Sequence, residues 1–315
     1  MRALLVCNPK ATTTSERARD VLVRALRSET ELEVAYTRRR GHGVALARKA
    51  RLDGLDLVVA LGGDGTVNEV VNGLLEAGPG DRVPAVAVVC GGSTNVFARA
   101  LGLPTDWAEG TSVIIEALRE KRTRTVGLGR ADDRYFTFCA GFGMDADVIQ
   151  RVERSRLRGR KSTPMLYVQS MTGTFLFERA ARTPRITLDV AGEDVTDPVS
   201  TVIVQNTAPW TYVGERRIDA CPQASFDTGL DVMAVRSMTL SGTARTLTQL
   251  YAGRRDKETE QVIGPHGKQV LGLHDLSEFT VSATAPVGLQ VDGDFVGQRD
   301  KVRFTSVAGA IRVVC

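Results

Sequence analysis

Apolar runs and apolar stripes alternate along the first 125 residues. Ala3 to Cys7 is a short apolar run, predicted as a strand. Ala18, Val21, Leu22, Ala25 and Leu26 recur at helical spacing behind Thr13 and Glu16, which stand at capping-box separation. Leu32 to Tyr36 predicts a second strand, and Val44 to Arg51 a helix after Gly41-His42-Gly43. Leu57 to Leu61 predicts a third strand. Beyond it Val67, Val70, Val71 and Leu74 fall on one helical face. Val83 to Cys90 predicts a fourth strand, followed by a helix stopped at Gly102-Leu103-Pro104. Strand and helix in strict alternation predict a parallel sheet covered on both faces.

The pattern changes near residue 125. Arg124 to Gly129, Tyr135 to Cys139, Arg185 to Val190, Thr201 to Asn206, Asp231 to Arg236, Glu278 to Ala283 and Gly288 to Val291 read as strands, with two more near the end. Many are joined by turn residues alone, which predicts a mainly antiparallel β-sandwich. The expected organisation is an α/β domain over 1–125 and a β-rich domain over 126–315, the last strand free to return to the first domain.

In parallel sheets ligands bind beyond the carboxyl ends of the strands. Three loops stand at such ends: Asn8-Pro9, Gly62-Gly63-Asp64-Gly65-Thr66 and Gly91-Gly92-Ser93-Thr94-Asn95. Glycines between a strand and a helix let the backbone approach a phosphate, and the helix N-terminus favours its charge. A structural turn is the competing reading of such glycines. Asp64 is the informative residue, because a carboxylate beside phosphates is accommodated when a divalent cation lies between them. The loop therefore points to a nucleotide triphosphate with magnesium. It is neither a Walker A sequence nor a GxGxxG fingerprint.

Composition narrows the partners. The 315 residues carry a net charge of +4, which permits an anionic partner and gives no reason to expect nucleic acid. No stretch reaches the ~18 apolar residues that span a bilayer. The opening MRALLVCNPK is too short for a signal peptide. Five cysteines without a C-x-x-C pair, and histidines only at 42, 266 and 274, argue for a reducing cytosol and against a zinc site.

The GGDGT segment resembles the superfamily that joins diacylglycerol kinases, sphingoid-base kinases, NAD kinases and phosphofructokinases. An early Asn-Pro, GGDGTVNEVVNGL and GGSTNVFARALGLP together resemble the bacterial diacylglycerol kinase family. The resemblance implies ATP and Mg2+ as cofactors. It implies that Asn8, Gly62, Gly63, Gly65, Thr66, Asn68, Glu69, Gly92, Thr94 and Asn95 contact ATP or order its loops, with Asp64 on the metal and in the active site. Asn68 and Asn95 read equally well as turn residues. The family has Asp where this chain has Val96.

Two later segments carry candidate chemistry. Asp292-Gly293-Asp294 reads from turn statistics as a hairpin turn. The family resemblance makes Asp294 the counterpart of a Glu that deprotonates the acceptor hydroxyl, one methylene shorter. Ala224 to Asp231 resembles a segment that holds a structural magnesium, with Asp227 the available ligand; a turn is the alternative. Gly141-Phe142-Gly143-Met144-Asp145 resembles a segment near the acceptor pocket, where Asp145 contacts the lipid head or caps the next helix. Arg151 to Lys161 carries six basic residues ahead of Met165, Leu166, Val168, Met171, Phe175, Leu176 and Phe177. That pattern suits either an anionic bilayer or a solvated loop.

The expected protein is a lipid kinase phosphorylating diacylglycerol to phosphatidic acid, the lipid lying in a cleft between the domains. Its expected place is the cytoplasm, with peripheral contact at the inner face of the cell membrane, and a homodimer is compatible with the sequence. Alternative acceptors are a sphingoid base, another lipid alcohol or NAD. A nucleotide- and membrane-binding protein without turnover is the non-catalytic alternative.

Overall fold

The computed structural model describes residues 1–9, 16–157, 183–192, 197–253 and 262–315. Thr13 and the apolar run from Met165 to Phe177 lie outside the described residues, as does part of the basic run before it. The chain divides into two compact units, Met1–Leu128 with Ala308–Cys315, and Gly129–Val307.

The first unit alternates β1 (Arg2–Cys7), α1 (Glu16–Arg27), β2 (Glu31–Tyr36), α2 (His42–Leu52), β3 (Leu57–Gly62), α3 (Asp64–Leu74) and β4 (Ala85–Cys90). Two helices follow, α4 (Val96–Ala100) and α5 (Trp107–Arg119). The strands pair in the order β2-β1-β3-β4, all parallel. Val313 of the returning chain end lies parallel to β4, opposite Val86. Pro84 precedes β4, and a proline has no N–H to give a ladder, so β4 starts later than the apolar run suggests.

Alternation along the strands splits the core into two faces. Ala3, Leu5 and Cys7, Leu57, Val59 and Leu61, and Ala87 and Val89 pack against Leu22 and Leu26 of α1 and Ile114 and Ala117 of α5. The intervening Leu4, Val6, Val58, Ala60, Val86 and Val88 are equally buried, on the face where α3 packs on β3. Helices α2 and α3 run against each other with little space between them. A Cβ on Gly73 would collide with the Val44 carbonyl.

Helix α5 is absent from the periodicity reading, although its start is written locally. Asp106 caps it, its Oδ1 accepting the N–H groups of Ala108 at 2.9 Å and Glu109 at 3.0 Å.

The chain enters the second unit along β5 (Arg124–Ala131), followed by β6 (Arg134–Phe136), β7 (Cys139–Gly143) and α6 (Met144–Leu157). Then come β8 (Ile186–Asp189), β9 (Thr201–Gln205), the ribbon β10 (Thr211–Val213) and β11 (Arg216–Ile218), and β12 (Leu230–Val235). A helix over Leu240–Ala252, capped by Thr239, precedes β13 (Val270–Leu276), β14 (Glu278–Val291) and β15 (Asp294–Val313). The described ladders within the unit are antiparallel. Outside the β10–β11 ribbon, the paired strands run on into one another. Phe136, Phe142, Phe279 and Phe304 anchor its core, Phe279 stacked on Phe304 at 5.2 Å.

Three elements depart from the apolar pattern. The runs at Glu278 and Gly288 are one strand whose register shifts between Ser282 and Val287, around Pro286. The run Tyr135 to Cys139 is broken into β6 and β7. The glycine-rich segment at 139–143 is itself a strand, buried along its whole length.

Candidate active site

Register brings three loops of the first unit to one edge. Cys7 pairs with Leu61, and Gly62 with Cys90, so Asn8, Gly63 and Gly91 leave their strands at one height. The strand order reverses between β1 and β3, which is where parallel sheets open a crevice for a ligand. Loop backbones are tied to this edge. Asn8 N–H donates to the Leu61 carbonyl at 3.0 Å and Gly91 N–H to the Gly62 carbonyl at 2.9 Å.

Gly63 is the N-cap of α3 and supplies no side chain to the first-turn N–H groups. The nearest side chains are small. A Cβ on Gly62 would lie 2.5 Å from the Thr66 hydroxyl, and one on Gly63 would lie 3.1 Å from the Gly92 Cα. Asn8 Nδ2 donates to the Thr66 hydroxyl at 3.3 Å, joining the first loop to the second. Asp64 joins the second to the third, its Oδ1 accepting the Phe97 N–H at 3.2 Å. Asn95 holds a left-handed conformation, φ 51°, and folds its amide onto Gly92: N–H to Oδ1 at 3.0 Å and Nδ2 to carbonyl at 2.9 Å. Thr94 is half-buried beside the exposed Ser93 in the same loop. Val96 is buried in the core at the start of α4, so no carboxylate stands at that position.

Two expected contact residues have other partners. The Glu69 carboxylate accepts the Gly41 N–H at 2.7 Å and the Gly43 N–H at 2.8 Å, so it caps α2. Asn68 is buried inside α3, where the Asn72 amide donates to its carbonyl at 2.9 Å. Both order the loop's supports from beneath.

The loop after β2 was not among the expected sites. Thr37 N–H donates to the Cys7 carbonyl at 2.8 Å, which places Thr37 on the same edge as Asn8. Arg38, Arg39 and Arg40 follow it, all at least part-exposed. Three adjacent arginines, which add positive charge to this edge, were the visible signal.

The donors fit a magnesium nucleotide. Magnesium is commonly held by one or two carboxylates together with phosphate oxygens and water, so a single Asp64 at the loop suffices. Among the described residues, no group of three His, Cys, Asp or Glu side chains converges on a metal-sized site. Burial pushes the thiols of Cys7 and Cys90 up to about 11, which removes them as nucleophiles.

Asp227 belongs to the second unit. It is exposed, and its N–H donates to the Ser225 hydroxyl at 3.2 Å. The carboxylates at work near it are Asp275, which accepts the Gly229 N–H at 2.6 Å, and buried Asp231, which meets His274 Nδ1 at 2.7 Å.

In the second unit Asp292 and Asp294 differ sharply. Asp292-Gly293 forms a two-residue hairpin loop with φ of 48° and 79°, closing the pair Val291–Asp294. Asp292 is buried, and its carboxylate accepts the N–H groups of Thr137 at 2.7 Å, Phe138 at 3.0 Å and Cys139 at 3.2 Å, and the Thr137 hydroxyl at 2.9 Å. Thr137 and Phe138, between β6 and β7, give their amides to this carboxylate rather than to a ladder, which breaks the run Tyr135 to Cys139. Asp294 is part-exposed, with an Arg134 guanidinium nitrogen 3.6 Å from its Oδ2.

Asp145 lies within the first turn of α6 rather than at a cap. Its carboxylate folds back over Gly141, where a Cβ would collide with it, and accepts Gln290 Nε2 at 2.8 Å. Burial raises its carboxyl to about 6, against the Gln290 hydrogen bond, and the Asp147 charge adds to the rise.

Among the described residues no helix is long and apolar enough to cross a membrane.

Comparison with known proteins agrees with this fold. Residues 2–131 match the family model described as diacylglycerol kinase catalytic domain. A Chromohalobacter salexigens protein named "Probable lipid kinase YegS-like" is 38% identical over 144 residues, 46% of this chain and 44% of that one. A Bacillus subtilis diacylglycerol kinase is 36% identical over 132 residues, 42% of this chain and 41% of that one. The match thus spans less than half the length of either relative. The crystal structure of a Bacillus anthracis str. Sterne diacylglycerol kinase superposes with a TM-score of 0.70 at 18% identity, covering 99% of this chain and 96% of that one. At that identity the likeness is one of fold.

Proposed function

We propose, from the match of residues 2–131 to the family model described as diacylglycerol kinase catalytic domain, that the protein is an ATP- and magnesium-dependent lipid kinase that converts diacylglycerol to phosphatidic acid. The observation that carries this reading is the Gly62–Thr66 loop: a glycine-lined helix N-terminus at the strand-order reversal, with one carboxylate, Asp64, in its middle.

ATP supplies the γ-phosphoryl group, and magnesium spreads the charge that develops during transfer. Backbone N–H groups of Gly63, Asp64 and Gly65 orient the phosphates, and Asn8, Thr66, Gly92, Thr94 and Asn95 shape the loop around them. Glu69 and Asn68 keep that loop's supports in place. Asp64 is the metal ligand, and Asp227 the candidate for a second, structural magnesium. Arg38 to Arg40 add positive charge at the same edge. Asp294 accepts the acceptor hydroxyl proton as that oxygen bonds to the γ-phosphorus and the bond to the ADP oxygen breaks. Access to a membrane lipid implies peripheral contact with the inner face of the cell membrane.

A second reading, in which the acceptor is a different lipid alcohol, is compatible with the YegS-like relative, whose name specifies a lipid kinase and no acceptor. Labelled γ-phosphate transfer from Mg-ATP to diacylglycerol and a sphingoid base in mixed micelles, and to NAD in solution, separates these. Label on diacylglycerol supports the first reading. Label on another lipid alone moves the assignment to that lipid. Bound ATP with no labelled acceptor points to a nucleotide-binding protein without turnover.

A further inference from the structure

Asp294 stands between two backbone amides that are both tethered to helix α6. On its N-terminal side, Gly293 N–H donates to Gln290 Oε1 at 2.9 Å, while Gln290 Nε2 donates to Asp145 Oδ2 at 2.8 Å. On its C-terminal side, Phe295 N–H donates to Glu153 Oε1 at 3.1 Å. Asp145 opens α6 and Glu153 lies farther along it.

Gln290 is buried, and its two ends are chemically distinct. An amide facing a carboxylate must present its N–H, and an amide facing a backbone N–H must present its oxygen. Flipping the amide would break both bonds, so one rotamer is fixed. Gly141 provides the space: only without a Cβ can Asp145 lie back over β7 to reach Gln290. The pairing of β14 with β15 shifts by one residue between Leu289 and Gln290, where Leu289 faces Gly297 and Gln290 faces Phe295. A bulge of this kind re-aims neighbouring side chains.

We propose that Gln290 is a positioning residue for phosphoryl transfer, locking the turn that carries Asp294 to the first turn of α6 through Asp145. This rests on Asp294 being the base. Gln290 touches neither the acceptor nor the nucleotide. It holds Gly293, and therefore the Asp294 backbone, at a fixed offset from Asp145. A general base misplaced by ~1 Å loses much of its rate, so the lock acts on turnover more than on binding.

The test is a charge swap. Gln290→Glu, assayed at alkaline pH so that the facing carboxyls do not share a proton, sets two carboxylates against each other and breaks the lock. Asp145→Asn combined with Gln290→Glu rebuilds it in reverse. The amide introduced at position 145 donates to the carboxylate introduced at position 290, whose other oxygen still accepts the Gly293 N–H. Two readouts are taken: kcat and KM for diacylglycerol with Mg-ATP, and hydrogen exchange of the Gly293 amide without substrate. The expected result is a fall in kcat of ~10-fold or more in Gln290→Glu, faster Gly293 exchange, unchanged ATP affinity, and recovery of both in the double variant. A double variant no better than Gln290→Glu in kcat, or equal Gly293 exchange in all three proteins, overturns the proposal. A wild type without lipid kinase activity removes the base reading and the proposal with it. That failure is told apart from a missing lock by the exchange measurement, which needs no turnover.

Discussion

Gly63 and Gly92 lie back to back: a Cβ on Gly92 would sit 2.6 Å from the Gly63 Cα and 3.0 Å from Asn95 Oδ1. The contact joins the loop after β3 to the loop after β4, and its shortest approach is to backbone, which must shift. Gly92→Ala therefore shifts the Gly63–Thr66 cradle. Its Mg-ATP dissociation constant, measured by calorimetry, should rise ~10-fold or more, since a backbone displaced from a phosphate loses N–H contacts worth ~1.5–3 kcal/mol each. Gly80→Ala, where a Cβ meets nothing within 4 Å, is the matched control and should bind like wild type. Equal affinities in all three proteins would separate this loop pair from nucleotide binding.

Asp292 and Asp294 should divide into a structural and a functional carboxylate. Asp292→Ala leaves three amides and a hydroxyl without their acceptor in a buried site. Its stability should fall by ~3 kcal/mol or more, given ~1–3 kcal/mol for each buried group left unsatisfied. Asp294→Asn keeps the shape of a part-exposed side chain and should stay within ~1 kcal/mol of wild type. Urea unfolding followed in the second unit checks both; equal losses would contradict the division.

Asp145 predicts a pH dependence of stability. Its folded carboxyl is raised from 3.8 to about 6, chiefly by burial. The folded state thus holds this proton more tightly than the unfolded chain. The stability this contributes is complete below about pH 4 and is lost as pH rises through about 6. Asp145→Asn, whose amide oxygen can still accept Gln290 Nε2, carries no ionisation cost. It should exceed wild type by on the order of 2–3 kcal/mol above pH 7, the gap closing toward pH 4. Melting temperatures across that range check the sign. A gap that is constant with pH, or one that opens on acidification, would contradict it.

The strand–glycine–helix turn at Gly62 to Thr66 was legible because its signal is local. Strand, glycines, Asp64 and helix lie in one short stretch, and backbone chemistry alone orders them. The strand alternation of the first unit was legible for the same reason. Helix α5 was missed although its signals are local: Asp106 and Glu109 mark its start, and Trp107, Ile114, Ile115 and Leu118 recur at helical spacing. Strand β7 was hidden by its own glycines. Gly141 makes room for Asp145 and Gly143 for Ile186, and neither need can be read from the glycine run itself. The break at Thr137 was illegible in principle from periodicity, since its cause is a carboxylate 155 residues away. Gln290 carries no sequence signal at all, its role resting on partners at positions 145 and 293.

The central claim is that this chain transfers phosphate to a lipid hydroxyl with Asp294 as the base. The most direct measurement is the rate of labelled phosphate transfer from Mg-ATP to diacylglycerol in mixed micelles, wild type beside Asp294→Asn, with ATP affinity measured in parallel. The account predicts label on the lipid with wild type, a rate ~10²–10⁴-fold lower in the variant, as befits a lost general base, and equal ATP binding. An unchanged rate in Asp294→Asn, or no labelled lipid from a wild type that binds ATP, would contradict it.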